Sequence, residues 1–92
     1  MTKKFTAYAP PMIWGVWTTI QSHGGSINFN IKYSVLGDTI VFGKVKYYKT
    51  PNLLTEQEFK DEVSITTANV WGNIEVCFKG VVLGSTVEGS IE

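Results

Sequence analysis

The sequence predicts a mainly β fold: a six-stranded antiparallel sandwich or small barrel, made of two three-stranded meanders with one short connecting helix near 55–62. Apolar and polar residues alternate with a period of two along much of the chain, which is typical of strands that bury one face. Two-residue segments that contain glycine lie between these stretches, at the positions where hairpin turns are expected. A length of 92 residues allows one domain. We therefore assign 13–92 to a single β domain and 1–12 to an extended N-terminal arm.

The most regular alternation covers residues 27–35. It predicts a half-buried strand with one apolar and one polar face. The apolar face carries Ile27, Phe29, Ile31, Tyr33 and Val35, and the polar face carries Asn28, Asn30, Lys32 and Ser34.

Glycine turns predict the neighbours of this strand. A turn at Gly24-Gly25 would pair it with a strand over 13–20, whose outward Trp17 would lie opposite Lys32. A turn at Gly37-Asp38 would pair it with a strand over 40–48, which brings Val35 opposite Ile40.

The alternation slips after Phe42, where Lys44 would point into the core. One extra residue at Gly43 restores the phase, because a β-bulge shifts the following side chains to the opposite face. We therefore expect a bulge at Gly43, with Tyr47 inward.

The second half predicts a helix and then three more strands. The segment Thr55-Glu56-Gln57-Glu58 is a capping box, the pattern that starts a helix. Strands are predicted over 63–71 and 74–79, joined by a turn at Gly72-Asn73, and over 85–91.

Charge and composition exclude several classes of function. Eight lysines balance eight acidic residues and arginine is absent, which argues against nucleic-acid binding. A single Cys77 and a single His23 exclude a Cys/His zinc site and an internal disulfide. We expect no cofactor.

The charges are segregated along the chain. Residues 1–50 carry six lysines against one aspartate, a balance of +5, and residues 51–92 carry two lysines against seven acids, a balance of −5. Each half can present a solvated face, or the molecule can have oppositely charged ends that favour head-to-tail packing.

Localisation follows from what the chain lacks. No apolar run approaches the roughly 18 residues of a membrane span, and no signal-peptide core follows the opening lysines. We expect no transmembrane segment and a cytoplasmic protein, with export by a route that needs no signal left open.

Catalytic chemistry finds little support in these residues. His23 lies at a predicted turn with no acid placed beside it, and Cys77 falls on the polar side of its strand. Glu58 and Glu62 are spaced to share a helix face, yet acids are favoured in a first helical turn without any metal. We expect a protein that is not an enzyme.

Aromatic residues form 13% of the chain. Trp17, Tyr48 and Trp71 are the three that the predicted core does not use. An outward Trp17 near Asn28, Asn30 and Lys32 is typical of a platform for a carbohydrate or small apolar ligand, since a flat ring can stack while amides bind hydroxyls. Exposed aromatics are equally typical of a protein interface.

The arm over 1–12 is apolar and contains Pro10-Pro11, so it cannot continue a central strand. It can lie across the domain or reach a neighbouring subunit. Together these features predict a non-enzymatic interaction module. It would self-associate or bind a protein partner through exposed aromatics. The alternative is the ligand-binding module at Trp17.

Overall fold

The computed structural model describes residues 2–50 and 52–92, apart from the side chains at positions 22, 23, 67 and 68. The described chain is all β and contains no helix. Its strands are β1 (Lys3–Ala9), β2 (Thr18–Val35), β3 (Val41–Thr50), β4 (Leu53–Phe59), β5 (Glu62–Gly80) and β6 (Ser85–Ile91). No helix long and apolar enough to cross a membrane occurs in these described ranges.

All strands belong to one antiparallel sheet with the order β1-β6-β2-β5-β3-β4. Register shifts interrupt the pairing of β2 with β5 between Thr19 and Gln21 and between Ile27 and Phe29. Counted by segments the sheet has eight strands, and it is not closed. The antiparallel β prediction is therefore confirmed. The sandwich, the barrel and the two separate meanders are wrong, because all strands belong to one open sheet, and the count of six strands is not confirmed.

The sheet curls so that distant strands contact each other through aromatic rings. Phe5 of β1 stacks on Phe78 of β5 with ring centroids 6.0 Å apart, although two strands lie between them in the sheet. Tyr33 of β2 contacts the same Phe78 ring at 4.9 Å and the Phe59 ring of β4 at 5.5 Å. These contacts fill the core inside the curl.

The predicted strand over 27–35 is confirmed as the second half of β2. Phe29, Ile31 and Tyr33 are buried, and Ile27 and Val35 pack against them. A strand near 85–91 is also confirmed, as β6.

The glycine turns at Gly24-Gly25 and Gly72-Asn73 are wrong. Both segments continue through the middle of long strands and face each other, with Gly24 opposite Trp71 and Gly25 opposite Val70. Gly25 has a φ of 99° and Gly72 a φ of 95°. Positive φ is accessible to glycine without strain, so these residues bend two paired strands instead of reversing the chain.

The turn at Gly37 is present, but the hairpin built on it is wrong. Gly37 has a φ of 117°, yet β2 and β3 do not pair, since each lies beside β5. Ile40, expected in the core opposite Val35, is therefore 55% exposed in the connection before β3.

The predicted bulge at Gly43 is wrong because the glycine itself faces the core. Val41, Gly43, Val45 and Tyr47 alternate as buried residues without interruption, and Phe42 points outward. A Cβ atom on Gly43 would lie 3.0 Å from the Phe59 ring and 3.1 Å from the Phe78 ring. The missing side chain thus makes room for two aromatic rings.

The helix near 55–62 is wrong, since this segment contains most of β4. Glu58 lies opposite Lys44 and Glu56 opposite Lys46 on β3. Opposite charges across neighbouring strands stabilise a sheet, and burial of Phe59 adds to this. Tertiary pairing therefore overrides the local capping signal.

The segment predicted as an arm contains β1. Residues 3–9 pair with β6 at the edge of the sheet, and the apolar Phe5, Ala7 and Ala9 pack on the core face. Pro10 follows directly after this edge strand, where it removes no ladder hydrogen bond.

Candidate functional site

The connection between β1 and β2 follows the free edge of β5. The amide of Met12 donates to the carbonyl of Gly80 at 2.7 Å, and the amide of Gly15 donates to the carbonyl of Phe78 at 2.9 Å. A Cβ on Gly15 would lie 2.9 Å from the carbonyl oxygen of Tyr8, so only glycine fits this close approach. The connection thereby holds the side chains of Trp14 and Trp17 beside β5.

Both tryptophans contact lysines. The ammonium of Lys44 lies 4.3 Å from the centroid of the Trp14 ring, and that of Lys46 lies 4.2 Å from the Trp17 ring. Lys46 also forms an ion pair with Glu75 at 3.5 Å. Trp17 is therefore half-buried and in contact with Lys46. It lies outside the strand, because β2 begins at Thr18.

The ligand platform predicted around Trp17 is not assembled. It required a strand over 13–20 with Trp17 opposite Lys32, whereas Lys32 lies opposite Glu62 and Thr18 lies opposite Val76. Trp17 and the amides of β2 thus lie at opposite ends of the pairing between β2 and β5.

Asn28 and Asn30 line a cleft of about 220 Å³ together with Ser64 and Glu92. The amide nitrogen of Asn30 donates to the hydroxyl of Ser64 at 2.8 Å. The side-chain oxygen of Asn30 is shielded from solvent and has no hydrogen-bond partner among the described residues. Phe29 and Ile65 also line the cleft, and none of the three predicted aromatic residues Trp17, Tyr48 and Trp71 does.

Tyr48 and Trp71 are exposed as the sequence predicts, at 41% and 49%. Tyr48 lies opposite Leu54 of β4, and Trp71 lies opposite Gly24 of β2. Tyr48 belongs to the pair β3–β4 and Trp71 to the pair β2–β5, so the two residues do not form one site.

Cys77 lies on the same face of the sheet as Lys44, the polar side that the alternation predicts, but it is buried there. It lies opposite Lys44 of β3, the lysine whose ammonium contacts the Trp14 ring. Burial raises the pKa of the Cys77 thiol to about 11. At neutral pH the thiol is protonated, the state opposite to that of a nucleophilic cysteine. The side chain of His23 lies outside the described residues.

The described residues contain no group of three metal-binding side chains. Glu58 and Glu62, which a helix would bring to one face, lie on two different strands, β4 and β5. The metal-binding arrangement that this spacing allowed is therefore absent.

A group of exposed aliphatic side chains lies where three connections meet, and we call it the aliphatic end. Its members are between 40% and 72% exposed. They are Met12, Ile13, Leu36, Ile40, Val81, Val82 and Leu83.

Backbone and side-chain hydrogen bonds hold the three connections together. The amide of Val81 donates to the carbonyl of Ile40 at 2.9 Å, and the hydroxyl of Thr39 donates to the carbonyl of Leu83 at 3.1 Å. The Met12 amide binds Gly80, next to Val81. A shallow, mostly apolar cleft of about 210 Å³ separates the connections that contain Ile40 and Val82.

Sequence reasoning missed the aliphatic end, although one signal was available. Val81-Val82-Leu83 is a run of three apolar residues between Gly80 and Gly84. Consecutive side chains on a strand point to opposite faces, so such a run cannot be buried on one face. The other members are distant in sequence, and only the fold brings them together.

No protein-family model matches the chain, and no curated protein matches it. A solved structure titled "Crystal Structure of FLHE" is similar, with a TM-score of 0.54 and 9% sequence identity. The similarity covers 99% of this chain and 92% of that chain. At this identity the likeness shows a shared fold.

Proposed function

We propose that the protein is a non-enzymatic interaction module that self-associates through the aliphatic end. The single observation that carries this proposal is the exposure of seven large aliphatic side chains on three connections, two of which are hydrogen-bonded to each other while the third is hydrogen-bonded to Gly80. Contiguous apolar patches on a protein surface mark interaction sites, whereas isolated apolar residues need no explanation. The exposed aromatics Tyr48 and Trp71 lie elsewhere and are not needed for this contact.

A second copy of the chain is the partner that fits this surface. Asp38 is the charged residue that lines its cleft, so two copies can meet there with few charges to desolvate. Two-fold contacts of this kind, in which the same patch faces itself, are the commonest form of oligomer.

The size of the patch supports a weak dimer. Burying an aliphatic side chain completely contributes about 1.5–3 kcal/mol, so the exposed halves of fourteen side chains in two copies contribute about 14 kcal/mol. Association costs about 4–15 kcal/mol in lost freedom of motion. Because the two numbers are comparable, loss of one contact should shift the equilibrium visibly.

Analytical ultracentrifugation across a concentration series tests the proposal. Val82→Asp removes one apolar contact and introduces a charge, and we expect it to raise the dimer Kd at least about tenfold. Trp71→Asp is the control, because Trp71 is also exposed and apolar but lies in the middle of β5 opposite Gly24, outside the aliphatic end and outside both edge strands of the sheet. It should leave the dimer unchanged.

A monomer mass for the unaltered chain at about 100 μM, where an association free energy of only about 5 kcal/mol would be detected, overturns the proposal. Equal weakening by both substitutions would also overturn it. Either result would leave the aliphatic end to a different protein partner.

A further inference from the structure

We propose a second, separate contact between copies of this chain, in which strand β1 of one copy pairs antiparallel with strand β4 of the next. This contact goes beyond the proposed aliphatic dimer, because it uses the two edges of the sheet and a different symmetry. The partner is again identified by chemistry: an acidic edge strand that complements a basic one.

The two edges of the sheet are available for pairing. β1 and β4 are its end strands, and each has seven residues. Edge strands carry backbone donors and acceptors without a neighbour, which makes them templates for strand addition. Gly15 approaches the Tyr8 carbonyl, so the free part of β1 is its beginning, residues 3–7.

The two edges carry opposite charges. β1 contains Lys3 and Lys4 and no acid, and β4 contains Glu56 and Glu58 and no lysine. All four residues are exposed. Among the described residues, none of the four takes part in an ion pair.

These charges select which edges can pair. Two β4 strands paired antiparallel would place Glu56 opposite itself or opposite Glu58 of the copy, and like charges directly opposite each other destabilise a sheet. Two β1 strands would leave Lys3 and Lys4 without an acid. Only β1 against β4 combines opposite charges.

The antiparallel register is the one that matches the side chains. Aligning Lys3 with Phe59 places Lys4 opposite Glu58 and Thr6 opposite Glu56. A parallel alignment over the full length of both strands would instead place Lys3 opposite Leu53 and Lys4 opposite Leu54. Glu58 already faces Lys44 within its own sheet, so the antiparallel contact would set it between two lysines.

The contact is head-to-tail, since each added copy presents the same pair of free edges. Heterologous contacts of this type form rings when they close and open chains when they do not. The opposite net charges of the two halves of the sequence, +5 and −5, agree with this polarity.

A charge-swap experiment tests the pairing, in the Val82→Asp background so that the aliphatic contact does not contribute. Lys4→Glu alone and Glu58→Lys alone should each weaken association at least about fivefold by sedimentation, since reversal sets like charges against each other. An equimolar mixture of the two variants should restore it, because each variant then offers the edge that the other requires. Lys49→Glu changes the net charge equally from an exposed site outside both edges and should have no effect.

Disulfide trapping fixes the register in a Cys77→Ala background. Lys4→Cys mixed with Glu58→Cys should form a cross-linked pair on oxidation, because directly opposite residues meet the distance that a disulfide needs. Lys4→Cys mixed with Leu54→Cys should not.

Restored association in the mixture together with the 4–58 cross-link supports the edge contact. Absence of recovery in the mixture, with both variants folded by circular dichroism, overturns it, and so does trapping of the 4–54 pair instead. Lys4→Glu with Val82 intact, in which the edge contact is weakened, reports on the aliphatic dimer, so the two proposals can fail independently.

Discussion

The phenol of Tyr33 donates a hydrogen bond of 2.5 Å to the backbone carbonyl of Val41. Tyr33 lies near the end of β2 and Val41 begins β3, two strands that lie on either side of β5 in the sheet. The bond therefore ties together the two ends of the connection over 36–40, inside the curl of the sheet. It replaces the hairpin ladder that the sequence predicted between these strands.

Tyr33→Phe should destabilise the fold by about 1–3 kcal/mol, because the buried carbonyl of Val41 would lose its phenol donor. Urea denaturation measures the change. Tyr48→Phe removes a hydroxyl from an exposed side chain and serves as the control, with an expected change within about 0.5 kcal/mol. Equal stability of the two variants would show that the Tyr33 bond contributes nothing.

Gly43→Ala should destabilise the fold by about 1–3 kcal/mol, since the added methyl group would crowd the rings of Phe59 and Phe78. Gly24→Ala is a matched change inside another strand, at a site where nothing lies within 4 Å of the new atom. It should be neutral or stabilise by up to about 1 kcal/mol, the usual gain over glycine. Thermal unfolding of both variants decides, and a stabilised Gly43→Ala would contradict this packing.

Stability should fall between pH 9 and pH 11 by about 2 kcal/mol, because the Cys77 pKa is raised from an ordinary value of 9.0 to about 11. In this window the unfolded thiol loses its proton while the buried thiol keeps it, so rising pH favours unfolding. Cys77→Ala should remove this part of the pH dependence in urea titrations.

Burial also raises the pKa of Tyr33 and of Tyr47. Their contribution has the same sign and starts above the ordinary value of 10.0, so it should persist in Cys77→Ala. If the free energies of unfolding of the unaltered chain and of Cys77→Ala change in parallel between pH 9 and pH 10, the assignment of this pH dependence to Cys77 is refuted.

The contact between Lys46 and Trp17 should contribute about 0.5–1 kcal/mol, the usual strength of a partly exposed cation–π pair. A double-mutant cycle with Lys46→Met and Trp17→Leu measures it, since the loss of the ion pair to Glu75 is common to both Lys46 backgrounds. A coupling energy near zero would show that the ring and the ammonium are only neighbours.

Strand periodicity was sufficient to predict individual elements such as residues 27–35 and β6. It failed where a glycine signal has two physical meanings. Glycine tolerates positive φ, which makes Gly25 and Gly72 turn signals in the sequence, yet the same tolerance lets two paired strands bend at these residues. At Gly43 the sequence predicts a bulge, because glycine has no side chain and an apolar–polar pattern therefore cannot show that this position faces the core.

Pairing between distant strands is the part that local patterns could not supply. The capping box at Thr55–Glu58 is a valid local signal, and only the lysines of β3 across the sheet show why the segment is extended. The same limit applies to the candidate site. Exposure of Tyr48 and Trp71 followed from alternation, whereas the aliphatic end depends on three connections meeting in space.

The pairing of β1 with β6 has a consequence for synthesis on the ribosome. Of the six strands, β1 is synthesised before the others and its neighbour β6 after them, with Lys3 opposite Ile91. Until that partner emerges, the nascent chain keeps β1 unmatched, and such long-range pairing is slow to form. During this interval β1 is an extended, partly apolar segment that a chaperone could bind.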